Sequence, residues 1–148
     1  MIDSPDKIKV TSRIAAPAIR DSNVAAVSFF QAVDGDKWKA HYPSNVKHVL
    51  YIDAADLDGS KPSHVNAAEV KHLHIFDEND AKKLVEFVNE VRPDVDVLYF
   101  QCEAGVSRSA ASAMATQKAW FNKENISNNP LYSPNMWIYN LILKEFRK

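Results

Sequence analysis

Apolar and polar residues alternate from Ile8 to Ile14 in "KIKVTSRI", the two-residue period of a strand with one buried face, which predicts an edge or early strand. After the Pro17 interruption, "NVAAVSFF" (Asn23 to Phe30) is a short apolar run closed by "DGDK", so a buried strand ending in a turn near Asp34 and Gly35 is expected. "VKHVLYI" (Val46 to Ile52) is rich in β-branched and aromatic residues and predicts a further strand. The polar stretch "DAADLDGSKPSHVN" that follows is expected to form the longest loop, and long loops in compact domains are commonly functional or mobile. In "FDENDAKKLVEFVNEV", Asp77 is placed to cap a helix with Asp80 in its first turn, and Leu84, Val85, Val88 and Val91 recur at helical spacing. That helix is expected to end before Pro93, and "DVDVLYF" (Asp94 to Phe100) predicts a buried strand running into Cys102. Alanine-rich "SRSAASAMATQKAWF" favours helix from about Arg108 to Phe121. The last predicted element, "NMWIYNLILKEFRK", carries Trp137, Ile138, Leu141, Ile142 and Phe146 on one face. Strands alternating with helices predict an α/β layer fold with a largely parallel sheet, in which ligands collect beyond the C-terminal strand ends.

Composition narrows the class. The chain has 148 residues, 46% hydrophobic and 25% charged, which fits one globular domain over residues 1–148 with a substantial core. A net charge of -1 argues against a general nucleic-acid binder. No apolar run approaches the roughly 18 residues of a membrane span, and "MIDSPDKIKV" lacks the pattern of a signal peptide, so no membrane association and a cytoplasmic location are expected. The single cysteine, Cys102, excludes an internal disulfide and a multi-cysteine zinc cage, so any chemistry it has is that of a lone thiol.

The surroundings of that thiol are distinctive. "QCEAGVSRSA" places Cys102 between a strand end and a helix start, where the amides of Glu103, Ala104, Gly105, Val106, Ser107 and Arg108 can form an anion cradle. Gly105 suits a loop turn where a Cβ would clash, and Ala104 keeps the rim small. The field of such a cradle lowers a thiol pKa, and Arg108 offers a planar fork for two phosphate oxygens. Together these residues describe attack by sulfur on phosphorus.

"CEAGVSRS" resembles the Cys-x5-Arg-Ser phosphate loop of the cysteine-dependent protein tyrosine phosphatase superfamily, and in particular its dual-specificity branch. The resemblance extends over roughly Val46 to the C-terminus, including the "SPN" before the last amphipathic helix, whereas the first forty residues match only in strand order. It implies a compact phosphatase-like fold with a central sheet of about four or five strands flanked by helices. It also implies a phosphocysteine intermediate and no metal or other cofactor. On the same resemblance Cys102 is the nucleophile, Arg108 binds the phosphoryl group, and Ser109 helps the sulfur depart; Ser107 is expected to brace the loop. One departure is Gln101, which stands where the family has histidine.

Ester cleavage also needs a proton donor. Candidates are Asp53, Asp56 and Asp58 in "YIDAADLDG"; Asp77 and Asp80 already have a role as helix cap and first-turn anion. The family pattern, an apolar strand end with Asp four positions later, favours Asp56 after Ile52, with Asp53 as the alternative. Its spacing to Cys102 is long for the family, which leaves room for an extra element near His64 to His74. His72 and His74 would share one side of an extended segment, but with no third ligand they are read as surface or packing histidines, and Trp120, Trp137 and Tyr139 as core or half-buried packing. The expected partners are phosphorylated proteins or small phosphomonoesters, with Glu103 disfavouring polyanionic lipids and RNA ends. The alternative is a pseudophosphatase module that binds phosphorylated partners without turnover. Arsenate reduction or sulfur transfer is disfavoured because no second cysteine exists.

Overall fold

From Val24 to Phe29 every residue is buried, including both faces of the pleat, as expected of a central strand in a parallel sheet. The computed structural model describes residues 1–148 and has four strands, all parallel: β1 (Ile8–Ser12), β2 (Val24–Phe30), β3 (Val46–Asp53) and β4 (Val97–Cys102). Their order is β1-β4-β2-β3, so β4 and β2 are central and the two other strands form the edges. Four α-helices complete the α/β fold: α1 (Pro62–Lys71), α2 (Glu78–Val91), α3 (Arg108–Phe121) and α4 (Met136–Phe146). None is long and apolar enough to cross a membrane.

Register decides which way the site residues point. Val27 pairs with Phe100 and Ser28 with Gln101, so alternate residues of β2 and β4 fall on opposite faces. Ala25, Val27, Phe29, Leu98, Phe100 and Cys102 join the main hydrophobic core. Ser28 and Gln101 take the other face, where they are buried together. Helix α4 packs on both α2 and α3, and α3 lies against β4, β1 and β2. Residues Arg108 to Gln117 are all buried, which the small side chains of "SAASAMAT" permit by letting neighbours approach closely. The arginine at the start of α3 is thereby carried into the interior.

Several expectations shift in detail. The first strand stops at Ser12 and leaves Ile14 80% exposed, so the alternating pattern overran the element by two residues. The strand expected over Asp94 to Phe100 lies at Val97–Cys102, because "RPD" forms a turn in which Asp94 and Val95 donate back to the Val91 carbonyl. The end of the expected long loop, from Pro62 to Asn66, is the start of α1; proline is well suited to a first helical position, where no N–H is needed. His72 closes α1 in the left-handed conformation, with φ of 56°, so His72 and His74 do not lie on an extended segment. His74 instead meets the capping box of α2. Asp77 accepts from the Asp80 amide at 3.0 Å, Asp80 accepts from the Asp77 amide at 3.0 Å, and His74 Nε2 lies 2.7 Å from Asp80 Oδ2. Burial on α4 spreads beyond the expected stripe to Tyr139 and Leu143, while Trp137, Leu141 and Phe146 are only partly covered.

Candidate active site

β4 delivers Cys102 to the C-terminal edge of the sheet opposite Ser12, the last residue of β1. The chain then turns through Glu103 to Ser107 before α3 begins. Gly105 makes that turn possible. Its φ is +70°, and a Cβ there would sit 2.8 Å from the Thr11 carbonyl carbon and 2.9 Å from the Ser12 nitrogen. A side chain would meet both an unfavourable backbone region and immovable main chain. We therefore expect Gly105→Ala to lower the melting temperature by roughly 2–8 °C, from about 1–2 kcal/mol of conformational cost before the clash is counted. A melt within 1 °C of native, read by circular dichroism, would contradict this packing (about 1 °C being the smallest shift so measured).

The loop is tied down from outside through its carbonyls. Arg13 N donates to Glu103 O at 3.2 Å, Ser133 N to Val106 O at 3.0 Å, and Asn135 N to Ser107 O at 3.2 Å. The Val106 amide in the loop and the Ser109 amide in the first turn of α3 serve the Cys102 sulfur as donors, and Ser109 Oγ lies 3.0 Å from Sγ. Burial pushes the Cys102 thiol up, but the Ser109 hydroxyl and amide, the Arg108 guanidinium and the Val106 amide outweigh it, so its pKa lies below the ordinary 9.0. The sulfur is thus more readily ionised than an ordinary thiol, in a nearly closed setting with only 2% of the residue exposed.

Arg108 is held by one end only. Its Nη1 donates to the Ala54 carbonyl at 2.8 Å just beyond β3, while its buried Nε has no partner within the protein. A buried unpaired donor is costly unless a ligand satisfies it. Cys102, Ala104, Val106, Ser107, Arg108 and Asp56 line a cavity of about 390 Å³. Amide donors, a guanidinium and a sulfur around one cavity can hold a tetrahedral oxyanion and attack its centre.

The three candidate acids separate cleanly. Asp53 Oδ1 accepts from the Ala32 amide at 2.9 Å and so braces the segment after β2. Asp58 Oδ1 accepts from the Ser60 amide and hydroxyl at 2.9 and 2.6 Å, bonds that hold its carboxyl below the usual range. Asp56 is exposed and alone among the three lines the cavity over Cys102. Ser107 Oγ donates to its Oδ1 at 2.8 Å, and so does Asn135 Nδ2 at 3.0 Å. Ser107 therefore braces the acidic segment as well as its own loop.

Of two further neighbours, Arg13 was missed from the sequence and Gln101 was singled out there without its partners. Gln101 does not enter the cavity: on the opposite sheet face its Oε1 accepts from Ser28 and, at 3.3 Å, from the Tyr42 hydroxyl. It locks the end of β4 to β2, a role legible only once the strands are aligned. Arg13 donates through Nε to Glu103 Oε2 at 2.7 Å and stacks 4.7 Å above the Trp38 ring. That pair offsets the Glu103 charge, so repulsion of polyanions by Glu103 is weaker than an isolated carboxylate implies. Beyond it, a second cleft of about 330 Å³ shares Glu103 and Arg108 with the first and is walled by Phe29, Phe30 and Trp38. Comparison with models of known protein families finds no match, and no curated protein matches the chain.

Proposed function

We propose that the chain is a cysteine-dependent phosphatase of the protein tyrosine phosphatase type, close to the dual-specificity branch, acting on phosphoproteins or small phosphomonoesters in the cytoplasm. The observation that carries this reading is the unpaired, buried Arg108 Nε beside a Cys102 sulfur whose pKa is lowered by loop donors. In the first step Sγ attacks phosphorus, the P–O ester bond breaks, and Asp56 passes its proton to the leaving oxygen. In the second, water attacks the phosphocysteine, Asp56 takes a proton from that water, and the S–P bond breaks as the Ser109 hydroxyl donates to the departing thiolate. Loop amides and Arg108 hold the equatorial oxygens through both steps. No step calls for a metal. The aromatic walls of the adjoining cleft suit a phenyl leaving group, which favours phosphotyrosine among protein substrates.

Turnover of p-nitrophenyl phosphate by the native chain in excess chelator tests the reading. Arg108→Lys keeps the charge but loses the fork, and is expected to lower kcat/KM by about 10²-fold or more. Tight phosphopeptide binding with no turnover would support a binding module instead.

A further inference from the structure

We infer that Asn135, together with Ser107, is a positioning residue that decides which oxygen of Asp56 carries the transferable proton; the inference rests on the phosphatase reading above. Both donors converge on Oδ1, Ser107 Oγ at 2.8 Å and Asn135 Nδ2 at 3.0 Å. An oxygen receiving two hydrogen bonds has no free direction in which to present a hydrogen of its own without losing one of them. The neutral carboxyl therefore places its proton on Oδ2, leaving that oxygen to serve the cavity that Asp56 shares with Cys102.

Asn135 has no freedom to do otherwise. Its second Nδ2 hydrogen goes to the Leu57 carbonyl at 3.0 Å, and its Oδ1 accepts from the Ile138 amide at 3.1 Å as the N-cap of α4. Turning the amide over would set its oxygen against the Asp56 and Leu57 oxygens and its nitrogen against the Ile138 N–H, so the orientation is forced. Its main-chain N–H reaches the Ser107 carbonyl of the cysteine loop. A single residue thus joins the acidic segment, the cysteine loop and the start of α4. Further along the acidic segment, Gly59 lies so close to Trp137 of α4 that a Cβ would come within 2.5 Å of its ring, and Trp137 Nε1 is fixed to the Phe76 carbonyl at 2.8 Å. The acidic segment is clamped between α4 and the cysteine loop rather than free to swing.

The test compares kcat/KM for phenyl phosphate, whose leaving group needs a proton, with that for dinitrophenyl phosphate, whose leaving group does not. Ser107→Ala and Asn135→Ser, the latter keeping an N-cap hydroxyl, are each expected to lower the phenyl value at least tenfold more than the dinitrophenyl value. Ser107→Thr should restore the ratio. In an Asp56→Asn background, adding Ser107→Ala should leave the ratio where Asp56→Asn alone puts it, because both act through one proton. Equal losses on the two esters in Ser107→Ala, or additive effects with Asp56→Asn, would overturn the inference while leaving the phosphatase reading intact. A native chain that hydrolyses neither ester would overturn both.

Discussion

Cys102→Ser is expected to abolish hydrolysis of p-nitrophenyl phosphate, lowering kcat by at least about 10⁴-fold, the scale on which loss of a covalent nucleophile acts. The hydroxyl is no substitute in this setting. The donors that draw the thiol pKa below 9.0, chiefly the Ser109 hydroxyl and amide once burial is overcome, cannot bring an alkanol near ionisation at neutral pH. The fold should survive, since serine is close in size and Ser109 Oγ can hydrogen-bond to it. Binding of phosphate or vanadate should survive too, because the cradle amides and Arg108 remain. The expected pattern is therefore a folded variant that binds the oxyanion and forms no phosphoenzyme. Hydrolysis at the native rate by Cys102→Ser would remove sulfur from the mechanism.

Asp56→Asn is expected to produce the next largest loss, about 10²–10⁴-fold in kcat/KM for phenyl phosphate, the usual worth of a positioned general acid. Asparagine keeps an oxygen for Ser107 Oγ and the Asn135 amide, so the segment should hold its place while losing the proton. Asp53→Asn and Asp58→Asn provide the contrast. Each removes charge from a carboxylate already committed to main-chain donors at Ala32 or Ser60, and each should alter kcat/KM far less. Steady-state kinetics on the three variants would separate them. Comparable losses at Asp53 would reverse the assignment.

Local rules made much of the architecture legible. The α2 capping box, the Arg108–Phe121 helix and the central burial of "VAAVSF" follow from spacing, propensity and apolar run length, each of which acts within a few residues. Strand ends were less legible, because the pattern of "KIKVTSRI" continues past Ser12 while the hydrogen-bonding partner on β4 does not. The helix at Pro62–Lys71 was legible only as an extra element near His64 to His74, because its face has little apolar contrast and only Ala68 is buried. At the site, Cys102, Gly105 and Arg108 announce themselves by composition and order. The role of Asn135 does not, nor does that of Gln101, since each bonds to residues 59 to 79 positions away that only the folded chain brings close.

In the mechanism proposed above, the Val106 and Ser109 amides, the Ser109 hydroxyl and Arg108 hold the Cys102 sulfur as a thiolate beside an oxyanion site. Because the chain has one cysteine, the difference in absorbance at about 240 nm between the native chain and Cys102→Ser, followed as pH is raised, cancels the five tyrosines and reports the Cys102 thiolate. A midpoint clearly below 9.0 is expected, moved upward when Ser109→Ala removes the hydroxyl donor and perturbed by added vanadate. A midpoint at or above 9.0, unchanged by Ser109→Ala and indifferent to vanadate, would contradict it.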